Sequence, residues 1–166
     1  MSLQALPPAL QRLVDKDEIH ELKHSFAWAI ETNDAEILAG LFTEDAVVNA
    51  NPKHPLRGRD EIRARYRDVF AAWDGPFSSF HVVTNARIRV DDDEASGTWY
   101  LMNSFTHNGG APLQVIGVYD ERYRRDRDGR WRISNLKLTY IWTETAGRID
   151  PEHPVIGIRP VAGGSP

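Results

Sequence analysis

Cysteine is absent from all 166 residues. The chain therefore cannot form a disulfide, a thiolate zinc site or a cysteine nucleophile. Surplus positive charge is missing too: 20 Lys and Arg against 24 Asp and Glu leave a net charge of −4 and a pI near 5.8. That balance excludes a broad basic field of the kind that binds nucleic acid or an anionic membrane surface. No apolar run approaches the roughly 20 residues needed to cross a bilayer. The opening MSLQALPPALQRL has neither the basic start nor the sustained apolar stretch of a secretory leader. A cytoplasmic protein is expected, and 41% hydrophobic with 27% charged residues fits one globular domain with a sizeable core.

What the sequence does contain is organised around DKDEIHELKHSFAWAIETNDAEILAGLFTEDAVV, from Asp15 to Val48. Asp15 and Glu18 have the spacing of a capping box, which predicts a helix starting there after an arm over residues 1–12. Ile19, Leu22, Phe26 and Ala29 or Ile30 recur at steps of three and four and lay one apolar stripe toward a core. Phe26 to Ile30 are apolar on every side, which predicts a helix end buried all round. Glu31 follows directly and is placed at the rim or floor of a pocket. Asn33-Asp34 breaks this helix and caps a second over Ala35 to Leu41, followed by a strand near Ala46 to Ala50. The prolines of NPKHPLRG exclude a central strand, and Asp60 to Trp73 reads as a third helix ended by Asp74-Gly75-Pro76.

From Ser78 the signals change to strands. FHVVTNARIRV, ASGTWYLMNSFTH, LQVIGVYDERYRR and WRISNLKLTYIWT are rich in β-branched and aromatic residues, and DDDE, NGGAP and DRDGR between them are turn-formers. Helices followed by a long antiparallel meander, with glycines such as Gly97 and Gly117 for curvature, predict an α+β fold. Its sheet curls as a cone around the N-terminal helices and encloses a pocket. The domain spans 13–145, and the proline- and glycine-rich 146–166 is an arm or lid. Strands apolar on both faces predict a homodimer or higher homo-oligomer through the convex side.

Strand alternation puts His81 on one face with Val83 and Asn85. It reads either as a core histidine or as a general base oriented by Glu31, since a carboxylate on one imidazole nitrogen raises the basicity of the other. His20 and His24 share a helix side with Glu31 within roughly 20°. Without an HExxH pattern, a solvated polar stripe is favoured over a metal site, and no metal or other cofactor is expected. His54 belongs to an exposed loop and His107 to a turn. Trp28, Tyr66, Trp99, Leu101, Asn103, Lys137 and Trp142 are the candidate contacts to a small hydrophobic molecule, with plain core packing the alternative for the aromatics. The arginine-rich run Asp120 to Arg132 reads as ion pairing on a solvated strand end, and Asp91 to Glu94 as a hairpin tip.

EIHELKHSFAWAIETNDAEILAGLFTEDAVV, LRGRDEIRARY, HVVTN and DGRWRISNLKL, in this order and spacing, resemble the SnoaL-like branch of the nuclear transport factor 2-like superfamily. That branch includes polyketide cyclases, scytalone dehydratase, bile-acid dehydratases and lindane dehydrochlorinase. The resemblance implies a curved sheet around a deep pocket and a carboxylate–histidine dyad falling on Glu31 and His81, with Glu in place of the family's Asp. The expected activity is a cofactor-independent lyase or isomerase for a small hydrophobic cyclic compound. The alternative is a ligand-binding or oligomerisation domain of the same fold without turnover.

Overall fold

A computed structural model describes residues 6–51, 53–72, 78–106, 113–145 and 148–149, with side chains through Ile141. His107, Trp73, the side chain of Trp142 and most of 146–166 lie outside the described residues. Helix α1 runs Pro8–Glu31 and begins earlier than the Asp15 capping box predicts. Pro8 occupies the first turn, where its fixed φ suits a helix and its missing N–H costs nothing, so α1 takes up the last part of the expected arm. Asp15 is instead a buried position within the helix, bonded to Gln11 at 3.0 Å and ion-paired with Arg125.

Ile19, Leu22, Phe26, Ala29 and Ile30 are all buried, each large apolar side chain contributing about 1.5–3 kcal/mol. The expectation of burial all round fails at Trp28, which is 63% exposed. Among the described residues α1 packs on the sheet and on α2 (Ala35–Gly40), and Trp28 lies on a side that neither covers. Asp34 caps α2 by accepting from the N–H groups of Glu36 and Ile37 at 3.0 and 2.9 Å.

Strands β1 (Phe42–Asn49) and β2 (Leu56–Arg57) precede α3 (Arg59–Ala71). The meander follows as β3 (Ser78–Asp91), β4 (Glu94–Thr106), β5 (Leu113–Arg125) and β6 (Trp131–Thr145), with a short β7 (Arg148–Ile149) on β6. Spatial order is β2-β1-β6-β5-β4-β3, antiparallel except for β1 beside β6. The sheet is α+β cone-like, curved and unclosed. Bulges, where one strand carries an extra residue, bend it. On β3 the bulge contains Asn85 at φ 54°, which takes Asn85 out of the His81 face. Ser134 forms a bulge on β6 between the pairs Tyr123–Ile133 and Arg122–Asn135. Ile133, Leu136 and Leu138 therefore face in, and Lys137 is exposed. The expectation of Lys137 as a pocket contact required its face of β6 to be the concave one, and Lys137 lies instead on the side opposite buried Leu136 and Leu138. No described helix is long and apolar enough to cross a membrane.

Candidate active site

His81 sits near the start of β3 on the concave side, opposite Asn103 of β4. Its ring lies between Phe26 of α1 and Tyr119 of β5, with centroids at 6.1 and 6.3 Å. Nε2 is 3.2 Å from the Tyr119 hydroxyl, while Nδ1 is buried with no hydrogen-bond partner among the described residues. Burial, then the nearby Lys23 charge, brings the imidazole down from 6.5 to about 3, so it is neutral at ordinary pH.

Glu31, at the C-terminal end of α1 and half-buried, reaches the same place. Its Oε1 accepts the main-chain N–H of His81 at 2.7 Å. The sequence expectation of adjacency between the two residues meets a different contact, to the strand backbone instead of the ring.

Behind Tyr119 lies a charged pair, of which the sequence reading put Glu121 on a solvated strand end and did not single out Lys23. Lys23 Nζ is 2.6 Å from Glu121 Oε1, both side chains fully buried. Tyr123 donates to Glu121 Oε2 at 2.5 Å, and Trp99 Nε1 donates to the Tyr123 hydroxyl at 2.7 Å. The ammonium also stands 3.4 Å over the Tyr119 ring and 4.2 Å over Phe26, a cation–π geometry that desolvation strengthens. Burial pulls Lys23 below its usual range and Glu121 opposes it. Tyr119 thus carries the Lys23 ammonium against its ring and meets His81 at its hydroxyl, its phenol pushed well above its ordinary range by burial and then by Tyr66, Glu121 and Tyr140.

Tyr66 and Tyr140 extend the site outward. With Val48, Leu56 and Val69 they line a cavity of about 610 Å³ whose exposed residues are Asn51, His54 and Arg65. The described residues lining it include neither His81 nor Tyr119, although Tyr66 and Tyr140 both oppose ionisation of the Tyr119 phenol. Burial raises Tyr66 to about 12.

Of the other candidates, Asn103 shares the His81 face and lies 3.4 Å from Ser79 Oγ, and Leu101 and Trp99 are buried core on the same strand. His20 packs edge-on against Trp99 at 5.1 Å, while His24 is exposed. Among the described residues no cluster of three His, Asp or Glu is placed to hold a metal.

The model of the SnoaL-like domain matches residues 11–137, which takes in most of α1, Glu31, His81, Tyr119 and the Lys23–Glu121 pair, and the cavity lining except Tyr140. The chain belongs to the SnoaL-like family. No curated protein matches this sequence. Among solved structures, this SnoaL-like domain is similar to a candidate scytalone dehydratase from Novosphingobium aromaticivorans, at 21% identity and TM-score 0.72, covering 93% of this chain and 97% of that one. It is similar to a type 2 hexachlorocyclohexane dehydrochlorinase, LinA, at 20% identity and TM-score 0.74, covering 93% and 99%. LinA type 3 from Novosphingobium barchaimii gives 22% identity and TM-score 0.71, covering 84% and 96%. At such identities the likeness establishes the fold.

Proposed function

We propose that this SnoaL-like protein is a cofactor-independent lyase of the dehydratase type, or an isomerase, acting on a small hydrophobic cyclic compound. The observation that carries the reading is His81: a neutral, buried imidazole with a ring nitrogen lacking a hydrogen-bond partner among the described residues, in an aromatic enclosure. Its free electron pair can take a proton from carbon beside a carbonyl or leaving group once its basicity, lowered to about 3 by burial and Lys23, is raised by Glu31 and by a bound substrate. In an elimination, the electron pair of the broken C–H bond forms the double bond and the leaving group departs with its own pair. Water forms when that group is hydroxide and the imidazolium returns its proton. An isomerase returns the proton to a different carbon. Glu31 supplies negative charge beside the imidazolium, and Asn103 is near enough to donate to a developing oxyanion. Similarity to structures described as scytalone dehydratase and LinA supports the same class.

A second reading is a binding domain without turnover, in which Glu31 and His81 form a structural pair. The main-chain contact between them favours it. Proton exchange into cyclic ketones and hydroxyketones in heavy water, followed by NMR, separates the two. Exchange that His81→Ala reduces by 10²-fold or more supports the base, and a ligand that binds without exchange favours the binding domain.

The expected homo-oligomer has a surface to use. Phe80, Tyr100 and Met102 are 60, 41 and 50% exposed on the convex face. By register Val82 pairs with Met102, Met102 with Ile116 and Tyr100 with Val118, so these side chains form one apolar patch. We propose that a second copy covers it.

A further inference from the structure

Helix α3 carries four arginines, and three of them are occupied. Arg59 faces Asp126 at 3.8 Å, Arg63 faces Glu36 at 3.2 Å and also Asp60, and Arg67 meets Glu36 at 2.5 Å. Spaced four residues apart, these three share one side of the helix. Arg65 lies off that side, next to Tyr66, and has no acidic partner among the described residues. It lines the 610 Å³ cavity instead.

That lining has a one-sided polarity. In a chain with 24 Asp and Glu, none of the described residues lining the cavity is acidic. Its polar groups at the exposed end are the Arg65 guanidinium, the His54 imidazole and the Asn51 amide, and all three can donate. The inner wall is Val48, Leu56, Val69 and the rings of Tyr66 and Tyr140. The Arg65 charge already reaches inward: it favours ionisation of Tyr66 against the opposing effects of burial and Tyr140. A guanidinium with its donors unspent matches a carboxylate bidentately. An ordinary solvated arginine needs no acid-free pocket beside it.

We propose that the cavity takes a small apolar ring compound bearing a carboxylate, with Arg65 holding the carboxylate at the exposed end and the ring body lying against Tyr66 and Tyr140. The inference rests on reading this cavity as the approach to His81, and it narrows the substrate class from hydrophobic cyclic compounds to hydrophobic cyclic acids. Arg65 is then a specificity-determining residue of that cavity.

Calorimetry on the full chain with 2-naphthoate and with 2-naphthylmethanol tests it, since the two share a ring body and differ in charge. The acid is expected to bind roughly tenfold more tightly at low salt. Arg65→Gln is expected to abolish that difference while leaving the alcohol's affinity unchanged, and Arg65→Lys to retain part of it. Arg65 is exposed, and circular dichroism verifies that both variants fold. Equal affinities in the native protein, a preference that survives Arg65→Gln, or no binding of either compound would overturn the proposal. Turnover is not needed for the readout, so a protein that prefers the acid but exchanges no proton defeats the lyase reading and leaves the acid site standing.

Discussion

The Glu31 carboxylate holds His81 by its backbone amide, 2.7 Å away, and so ties the end of α1 to β3, the strand at one edge of the sheet. A glutamine at this position keeps an accepting oxygen but loses the charge. Glu31→Gln is therefore expected to change stability by less than about 1 kcal/mol, whereas Glu31→Ala, which orphans the amide, costs about 1–3 kcal/mol. Urea unfolding of both variants measures this. If turnover is found, Glu31→Gln should lower kcat with little change in ligand affinity, because the charge is needed once the imidazole is protonated.

The His81 imidazole gives stability a definite pH dependence. Below pH 6.5 the unfolded chain binds a proton that the folded chain does not accept until about pH 3. Its effect is absent above pH 6.5, and stability is lost as pH falls through that window, at up to about 1.4 kcal/mol per unit. Unfolding titrations at pH 7, 6 and 5 should show the slope, and His81→Asn should flatten it. An equal slope in the variant would assign the effect to other groups.

Lys23 and Glu121 are expected to behave as a unit. Removing one partner strands a charge in the core, so Lys23→Met and Glu121→Leu should each cost roughly 3–5 kcal/mol, while the double variant returns close to or above the native value. Thermal melts of the three proteins decide it. Single variants within about 1 kcal/mol of native would mean that water reaches the pair.

Gly117 and Gly40 make a matched test of sheet packing. A Cβ on Gly117 would stand 2.9 Å from Leu138 Cδ1 and 3.0 Å from the Thr139 carbonyl oxygen, whereas one on Gly40 meets nothing within 4 Å. Gly117→Ala should lose about 1–3 kcal/mol through overpacking, and Gly40→Ala should be neutral or gain up to about 1 kcal/mol.

Sedimentation at micromolar concentration is expected to show a dimer or larger assembly. Replacing Tyr100 and Met102 together with glutamate should give a folded monomer, since both side chains lie on the exposed convex patch. A native monomer would defeat the assembly proposal.

Much of the fold was legible because its signals are local. The stripe through Ile19, Leu22, Phe26 and Ile30 and the four strand segments each stand in one stretch of chain, and the structure has them as α1 and β3 to β6. His81 and Glu31 were singled out by alternation and by family resemblance, but the atom that joins them depends on side-chain reach. The side taken by Lys137 was not legible because alternation groups residues into two faces without saying which is concave, and Ser134 adds an extra residue between Ile133 and Leu136. Lys23 and Glu121 were missed although each interrupts an apolar pattern: Lys23 stands four residues after Ile19 and three before Phe26, and Glu121 alternates with Tyr119 and Tyr123. A lone charge on a buried face signals a partner on another element, and no local period says which.

The Lys23–Glu121 contact also has a history in time. The partners are 98 residues apart in the chain, and a ribosome adding about 5–20 residues per second needs roughly 5–20 s to make the second after the first. Throughout that interval α1 carries an ammonium group in the middle of its apolar stripe, which keeps the stripe hydrated and hinders premature collapse onto other greasy segments. Only when β5 emerges does the ammonium acquire its carboxylate partner, so a nascent chain stopped short of Glu121 can close α1 onto β3 only by burying that charge unpaired.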